Sequence, residues 1–385
     1  MRTSRRVRTL PEYPLAGAKE TRRRLEAQGV DVIDLGAGDA GLAPPPRAVE
    51  RLREVAGDTS FSRYAFQLGS PAFREAVARF MERRFGVTVD PYLEVLPLIG
   101  SKDGIAHLPF AFLDEGEVAI VPDPGYQAYV GGVVLAGGEP HAVPLRPEHD
   151  FLIPLGDVPE TVAARTRLLY LNYPNNPTTA VAPDGYYREA IRFCAERGAL
   201  LVHDHAYSEI AFDGYRPPSV LELDGARDVT IEFHSMSKTY NMTGWRLGWA
   251  VARPEIISAL TRVKSFVDTG QYLGIQEAGV AALESWEEWV PGNVAEFARR
   301  RDAAVEALCG AGFDAVRPKA TMYLWIPVPR GGASATFARR ALEEAGVIVL
   351  PGSALGQGGE GFFRVALTET PERLGQAADR LGRLL

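Results

Sequence analysis

The feature that most constrains the fold is a series of short apolar runs between residues 94 and 251, which alternate with segments of helical periodicity. The runs read VLPLIG, EVAIVP, HAVPL, RLLYLNY, ALLVHD, TIEFH and RLGWAVA. Strands that are apolar on both faces and are separated by helices form mostly parallel sheets with helices on both sides. The sequence therefore predicts an α/β fold with a mostly parallel, seven-stranded sheet between helices.

The segments that flank this core have a different pattern. Residues 31–45 read as a short strand, VIDLG, followed by a turn rich in glycine and proline. Ser70 and Pro71 begin an amphipathic helix that ends at Gly86. After about residue 286, a long helix, several strands and a last helix capped by Thr370 indicate a smaller α+β unit.

Composition excludes several classes of protein. The net charge of −7 argues against a nucleic-acid partner, which basic proteins hold by counterion release. No apolar run approaches the roughly 20 residues that cross a bilayer, so we expect a cytoplasmic protein without membrane contact. Cys194 and Cys309 lie far apart in predicted helices and are interpreted as free, buried thiols.

Ligands of parallel α/β sheets bind at the carboxyl ends of the strands, so the residues that follow each run are the candidates. Ser101 and Lys102 follow the first run at the start of a helix, where free amides and the helix dipole favour an anion. Asn176 lies in a loop between two prolines that restrict the backbone. Taken alone, these two segments are better explained by a plain N-cap and a plain turn.

The strongest candidates follow the next two runs. Asp204 ends a strand that is buried on both faces, where a carboxylate needs a positive charge or strong donors, and Tyr207 follows it. His203 and His205 flank the aspartate but point to the opposite face of a strand, so no metal site is predicted. Lys238 follows the run TIEFH, and a desolvated lysine there is a nucleophile toward carbonyls.

One cofactor needs all of these groups at once. Pyridoxal 5′-phosphate requires a lysine for its aldehyde, an acid for its ring nitrogen, donors for its phenolate oxygen and a cradle for its phosphate. Lys238 and Asp204 meet the first two needs, and Asn176 and Tyr207 meet the third. The cradle comprises Ser101, Ser235 and Arg246. The sequence thus predicts pyridoxal phosphate as the cofactor.

The order of these residues resembles that of fold-type I, class I/II pyridoxal-phosphate aminotransferases from about residue 30 to the end. The matching motifs are Asn176-Pro177, Asp204 with Tyr207, Ser235-x-x-Lys238, and Arg246 eight residues beyond the lysine. The resemblance implies an aspartate aminotransferase-like fold with a large cofactor-binding domain over residues 46–286. A small domain would be formed by both termini, residues 1–45 and 287–385.

The resemblance also implies roles for individual residues. Lys238 would bind the cofactor covalently and then carry the proton between the amino acid and the cofactor, while Asp204 would pair with the ring nitrogen. Tyr126 would lie against the ring, and the amides of Ser101 and Lys102 would hold the phosphate.

Three further residues match the family at positions that bind substrate or join subunits. Arg364, in GFFRVAL, matches the arginine that binds the substrate α-carboxylate, a task suited to a planar guanidinium. Gly38 matches the segment that closes over the substrate, and Asn176 also lies at the substrate. Tyr64 matches a tyrosine that reaches the phosphate of a neighbouring subunit, which implies a homodimer with shared active sites.

The chain departs from the family pattern at two positions. Thr179 stands where the family usually has a glycine, and Asp103 stands where glutamate or glutamine is usual. The segments GSKDGIAHLP, SKTYNMTGWR and GSALGQGGEGFFRVALT resemble most the branch that contains LL-diaminopimelate aminotransferases. That branch also includes enzymes for aspartate, alanine and aromatic amino acids, so the resemblance leaves the substrate open.

The leading hypothesis is an aminotransferase that moves an amino group from an L-amino acid to a 2-oxo acid by a ping-pong mechanism. A pyridoxal-phosphate-dependent C–S lyase on the same fold is an alternative, because the same cofactor chemistry can expel a β-substituent. A non-catalytic, effector-sensing regulator is a second alternative. It would need a DNA-binding domain, for which the roughly 30 residues before the first strand leave no room.

Overall fold

The computed structural model describes residues 2–10 and 18–385. Its helices, labelled α1 to α15 in chain order, are Arg5–Thr9, Ala18–Ala27, Pro46–Val55, Pro71–Phe85, Ser101–Phe112, Gln127–Ala136, Glu160–Ala163, Asp184–Arg197, Ala226–Val229, Met236–Thr239, Pro254–Lys264, Leu273–Glu284, Trp286–Gly310, Ser334–Ala345 and Pro371–Gly382. Its strands, labelled β1 to β12, are Ile33–Asp34, Val95–Leu98, Val118–Asp123, Glu139–Pro144, Thr166–Leu171, Leu200–Asp204, Thr230–Ser235, Gly248–Ala252, Tyr323–Pro327, Val347–Ile348, Leu350–Pro351 and Phe362–Ala366.

Each of the seven apolar runs forms one strand of a single sheet, as predicted. The strand order is β2-β8-β7-β6-β5-β3-β4. Strands β3 to β7 pair in parallel, whereas β8 runs antiparallel to both β2 and β7. The carboxyl ends of β5, β6 and β7 therefore meet at one edge, which places the loops after them side by side.

Helices cover both faces of this sheet because its strands are apolar on both sides. In β5, Leu168 and Tyr170 pack into a core with α5, α6 and α11, while Leu169 and Leu171 pack on the other face against α8. The two-residue alternation assigns neighbouring side chains to opposite layers. The sheet is thus the middle layer of a three-layer structure.

A second, smaller sheet contains the antiparallel strands β11-β12-β9. Strand β1, from the N-terminal part of the chain, pairs in parallel with β10 through Ile33 and Val347. Helices α13 and α15 pack beside this unit, and their apolar side chains share a core with Ile33 and with β9 and β12. The run VIVLP, residues 347–351, forms the two short strands β10 and β11 and not one continuous strand.

The predicted helix ends agree with the structure. Helix α4 begins at Pro71, and Gly86 ends it in the left-handed conformation with φ 67°. The side chain of Thr370 accepts a hydrogen bond from the amide of Arg373 at the start of α15. Within the described ranges no helix is both long and apolar enough to cross a membrane.

The prediction for the cysteines is correct for one of the two. Cys194 is buried in α8, as expected. Cys309 is exposed, because it lies on the outer side of the last turn of α13, where its thiol donates to the carbonyl of Ala315 at 3.3 Å.

Candidate active site

A cavity of about 370 Å³ opens at the carboxyl ends of the parallel strands, where the sequence places the candidate residues. The structure brings all of them except Tyr64 to its wall. These are Gly38, Ser101, Lys102, Tyr126, Asn176, Asp204, Tyr207, Ser235, Lys238, Arg246 and Arg364. Residues more than three hundred positions apart in the chain thus line one cavity.

Lys238 extends into the cavity from the short helix α10. The strand β7 ends at Ser235, whose hydroxyl accepts a hydrogen bond from the amide of Ser237 and so begins the helix. The Nζ of Lys238 donates to the carbonyl oxygen of Gly38 at 2.7 Å. A side chain at position 38 would lie 2.7 Å from the hydroxyl of Tyr323, so the close approach requires a glycine there.

Asp204 lies at the end of β6 and is buried. Its Oδ2 accepts a hydrogen bond from the hydroxyl of Tyr129 at 2.7 Å. Its Oδ1 is buried and has no hydrogen-bond partner within the described part of the chain. Burial raises the pKa of Asp204, although the hydrogen bond from Tyr129 lowers it. An unpaired, buried carboxylate oxygen is costly and indicates a binding partner of positive charge.

Tyr129 was missed by the sequence analysis. It lies three residues after Tyr126, one turn into α6, and its ring stacks on Tyr170 of β5 at 5.1 Å. In the sequence it is one more aromatic residue of an apolar helix, so no local signal distinguishes it.

Arg364 contacts Asn176 and the N-terminal segment at the other wall of the cavity. Its Nη1 donates to Asn176 Oδ1 at 2.8 Å, and its Nη2 donates to the carbonyl oxygen of Gly36 at 2.7 Å. The guanidinium lies 4.1 Å from the centre of the Tyr323 ring. These contacts orient a buried planar cation toward the cavity, as carboxylate binding requires.

Tyr323 was also missed by the sequence analysis, and it joins Arg364 to Tyr207. Its hydroxyl lies 3.1 Å from that of Tyr207. Burial raises the pKa of Tyr323, but Arg364, Lys238 and the contact with Tyr207 outweigh burial, so the pKa lies below its ordinary value. The pKa of Tyr207 is raised well above its ordinary value by burial. The neutral Tyr207 hydroxyl is therefore a hydrogen-bond donor at neutral pH.

The start of α5 forms the anion cradle. Gly100 precedes Ser101 with φ 72°, and a side chain there would lie 2.3 Å from Arg246 Nη2. Arg246 is held by hydrogen bonds to the carbonyl oxygens of Thr243 at 2.7 Å and Ile99 at 3.5 Å. The cradle thus combines free amides of a helix N-terminus with a fixed guanidinium.

Tyr64 lies outside this cavity. It is 72% exposed and lies on a surface pocket lined by residues 62–65 and 269–272. Its predicted contact is with a neighbouring subunit, which a single chain does not test.

The histidines that flank Asp204 point to the opposite face of the sheet, as predicted. There Glu232 accepts hydrogen bonds from His203 at 2.9 Å and His234 at 2.8 Å, and also from Ser219 and the amide of Val220. Nitrogen and oxygen atoms of His203, His205 and Glu232 lie within 4.8 Å of one another. Both Glu232 oxygens have protein donors, whereas neither ring nitrogen of His205 has a hydrogen-bond partner among the residues that the structure describes.

Thr179, the first departure from the family pattern, has φ 64°. A β-branched residue is rarely found in this region, which explains why a glycine is usual at this position. The amide of Thr179 donates to the carbonyl oxygen of Asn175 at 3.0 Å, so the turn after Asn176 keeps its hydrogen bonding.

The fold is that of fold-type I aminotransferases. Among solved structures, BacF from Bacillus subtilis superimposes with a TM-score of 0.95 at 34% identity, covering 100% of this chain and 98% of its own. Aspartate aminotransferase from Thermus thermophilus with maleate superimposes with a TM-score of 0.92 at 31% identity, covering 100% of both chains.

Sequence comparison identifies the family. The model of aminotransferase class I and II matches residues 30–381, and the chain belongs to this family. The LL-diaminopimelate aminotransferase of Desulforudis audaxviator is 48% identical over 98% of this chain and 96% of its own length. That of Moorella thermoacetica is 46% identical over 100% and 99%. The protein is an aminotransferase, and the resemblance found in its motifs is confirmed.

Proposed function

We propose that this aminotransferase binds pyridoxal 5′-phosphate and transfers the amino group of LL-diaminopimelate to a 2-oxo acid, with 2-oxoglutarate as the expected acceptor. The substrate is supported by relatives of that name, which are 43–48% identical over nearly the whole chain. The observation that best supports pyridoxal phosphate as the cofactor is the unpaired, buried Oδ1 of Asp204, which belongs to the same cavity as Lys238.

The residues of the cavity fit this cofactor. A protonated ring nitrogen supplies the positive partner that Asp204 Oδ1 lacks. The phosphate fits the start of α5, where Gly100 leaves room for Arg246 beside the amides of Ser101 and Lys102. Asn176 uses its Oδ1 for Arg364, which leaves its amide nitrogen to donate to the phenolate oxygen.

The remaining wall suits the α-amino acid end of a substrate. Arg364 would bind the α-carboxylate, for which its Nε has no other partner among the residues that the structure describes. Asn176 and Gly36 hold the guanidinium in place before the substrate arrives. The carbonyl oxygen of Gly38 accepts a hydrogen bond from Lys238, which holds the amine near this wall of the cavity.

When bound, the cofactor supplies the electron sink that allows the Cα–H bond of the amino acid to break. Lys238 Nζ takes the Cα proton as a general base. It holds this proton until the second step of the proton transfer, in which the proton is returned. Asp204 would keep the ring nitrogen protonated, and the Tyr207 hydroxyl would donate a hydrogen bond to the phenolate oxygen. The position of each of these side chains on the cavity wall supports its proposed role.

We also propose a homodimer in which Tyr64 reaches the neighbouring subunit. The exposed rings of Tyr64 and Phe66 lie 5.8 Å apart, beside residues 269–272. Phe266 and Val267 add further exposed apolar surface near this segment. An apolar surface of this kind is typical of an interface between subunits.

The proposed division into a large domain over residues 46–286 and a small domain over residues 1–45 and 287–385 follows the packing. The pairing of β1 with β10 joins the two terminal parts. Tyr207 and Ile210 also pack into the core of the smaller unit, so the two parts share a contact surface beneath the cavity.

The test is a turnover assay of the purified protein with pyridoxal phosphate and a panel of amino donors, each paired with 2-oxoglutarate. We expect LL-diaminopimelate to have the highest kcat/KM, with aspartate, alanine and phenylalanine as comparison donors. A higher value for one of these would refute the substrate but not the reaction. Pyruvate and ammonia formed from a thioether amino acid, without any oxo acid, would instead support the lyase alternative.

A further inference from the structure

The turn that presents the phosphate-binding amides depends on an acidic residue. Asp103 lies in the first turn of α5, and its Oδ2 accepts a hydrogen bond from the amide of Ile99 at 3.0 Å. Its Oδ1 lies 2.8 Å from His107 Nδ1. The side chain thus closes the turn formed by residues 98–101 from the helix side.

Asp103 is itself held by a buried lysine from another helix. Lys264, the last residue of α11, is 1% exposed and donates to Asp103 Oδ2 at 2.6 Å. The same Nζ donates to both oxygens of Asp268, at 2.9 and 2.7 Å. Burial raises the pKa of Asp103, but the contacts with His107 and Lys264 outweigh it and lower the pKa to about 2. Both carboxylates are therefore anchored to one ammonium group.

The segment after α11 returns to the same turn. Asp268 Oδ1 accepts a hydrogen bond from the amide of Gly270 at 2.6 Å, which shapes the segment. Gln271, the next residue, donates its Nε2 to the carbonyl oxygen of Leu98 at 3.0 Å. Lys264 is thus the common partner of two arms, Asp103 on one side and the Asp268–Gln271 segment on the other.

The location of this network gives it a specific consequence. A carboxylate in the first turn of a helix competes for the positive end of the helix dipole and repels an anion bound there. Lys264 offsets the charge of Asp103 next to the phosphate cradle. It also restricts the backbone that carries Ser101, and preorganised donors bind an anion without the cost of ordering them.

We propose that Lys264 is a positioning residue for the cofactor phosphate, which it serves through Asp103 and the Asp268–Gln271 segment without touching the ligand. The proposal rests on the proposed binding of pyridoxal phosphate. The proposal also explains the aspartate at position 103, which is the second departure from the family pattern. If Lys264 formed a purely structural ion pair, its removal would destabilise the fold whether or not the ligand carried a phosphate. If Lys264 positions the phosphate-binding turn, its removal should weaken the binding of a ligand with a phosphate more than that of a ligand without one.

The test measures the dissociation constants of pyridoxal phosphate and of pyridoxal for the apoenzyme, from the visible absorbance of the lysine-bound aldehyde. In the Lys264→Met variant we expect the constant for pyridoxal phosphate to rise about tenfold or more, as the loss of a preorganised, charge-assisted contact would cause. The constant for pyridoxal should change less than about twofold, because pyridoxal has no phosphate to be held.

The matched control is Arg301→Met. Arg301 is also 1% exposed and lies between two carboxylates, Asp213 at 2.6 Å and Asp302 at 2.7 Å, but it lies in α13, away from the cradle. Its removal should lower the melting temperature and leave the ratio of the two dissociation constants as in the wild type.

The outcomes separate the hypotheses. An equal loss of affinity for both ligands in Lys264→Met, or no loss for either, would overturn the proposal. A wild-type protein that binds neither ligand would refute the proposed function instead. If Lys264→Met does not fold, Asp268→Asn keeps the Asp103–Lys264 pair and should show a smaller, phosphate-selective loss of about threefold. A nonselective result in that variant would also contradict the proposal.

Discussion

The two faces of the central sheet carry buried carboxylates of opposite character at neighbouring strands. On one face Asp204, at the end of β6, accepts a hydrogen bond from Tyr129 at Oδ2, and its buried Oδ1 has no hydrogen-bond partner among the described residues. On the other face Glu232, in β7, receives hydrogen bonds at both oxygens from side chains and an amide. Both carboxylates are removed from water, but only one is left incompletely paired.

This difference separates binding from folding. A buried acceptor that the fold satisfies stabilises the chain, whereas one that the fold leaves open lowers stability until a ligand occupies it. The same holds for the cations, since Lys264 has two carboxylate partners while Lys238 bonds only one carbonyl oxygen in the described structure. The unpaired oxygen of Asp204 and the sparsely bonded Lys238 both line the proposed cofactor site, whereas Glu232 and Lys264 have their partners within the fold.

The largest effect is expected from Lys238→Ala. Because Lys238 is the proposed general base, turnover should fall by about 10³-fold or more. Its single hydrogen bond to Gly38 contributes little to folding, so the melting temperature of the apoenzyme should stay close to that of the wild type. The absorbance of the lysine-bound cofactor should disappear, and a variant that remained yellow would show that another lysine binds the aldehyde.

Asp204→Asn and Glu232→Gln compare the two faces directly. Asp204→Asn should keep the fold and the cofactor but reduce turnover by about 10²- to 10³-fold, since an amide cannot hold the ring nitrogen protonated. Glu232→Gln should have the opposite effect, with a loss of about 3 kcal/mol in the free energy of unfolding and a turnover changed by only a few fold. Urea denaturation and steady-state kinetics of both variants test this, and equal effects on both quantities would refute the distinction.

Arg364→Ala should act on substrate binding. The loss of a buried, charge-assisted contact with a carboxylate costs about 2–5 kcal/mol, which should appear mainly as a higher KM for every amino donor. Cofactor absorbance should be retained, because the contacts of Arg364 are with Asn176, Gly36 and the ring of Tyr323. An unchanged KM for all carboxylate substrates would contradict the role.

The smallest effect is expected from Tyr129→Phe, which tests how Asp204 is kept charged. The hydrogen bond from Tyr129 lowers the pKa of Asp204, so its removal should raise that pKa. The carboxylate form would then be lost at a higher pH, and the acidic limb of the kcat profile should move to higher pH. An unchanged profile with lower stability would indicate a structural role alone.

The seven strands and most of the cavity wall could be predicted because their signals are local. Strands buried on both faces leave continuous apolar runs, and the residues after them identify the ligand-binding edge. The motif around Lys238 and the pair Asp204 and Tyr207 have fixed spacing, so they were recognisable without the fold.

The residues that were missed act through contacts between distant segments. Tyr129 reads as one more aromatic residue in an apolar helix, and its role appears only when α6 packs against the end of β6. Tyr323 is one residue of an apolar strand until Arg364 lies over its ring. In the sequence, Lys264 and Asp268 are four residues apart, which is the spacing of an ordinary ion pair. Only the packing of α11 on α5 brings Lys264 into contact with Asp103.

Periodicity and residue type are properties of the chain, so the class of fold, the seven apolar runs and the polar groups that follow them could be predicted from the sequence. The tertiary structure decided which polar groups are satisfied. Asp204 and Glu232 read alike as acids in buried strands, yet one oxygen of Asp204 stays open while Glu232 is fully paired. Hydrogen bonding is a matter of distance in space, and only the packed chain sets those distances.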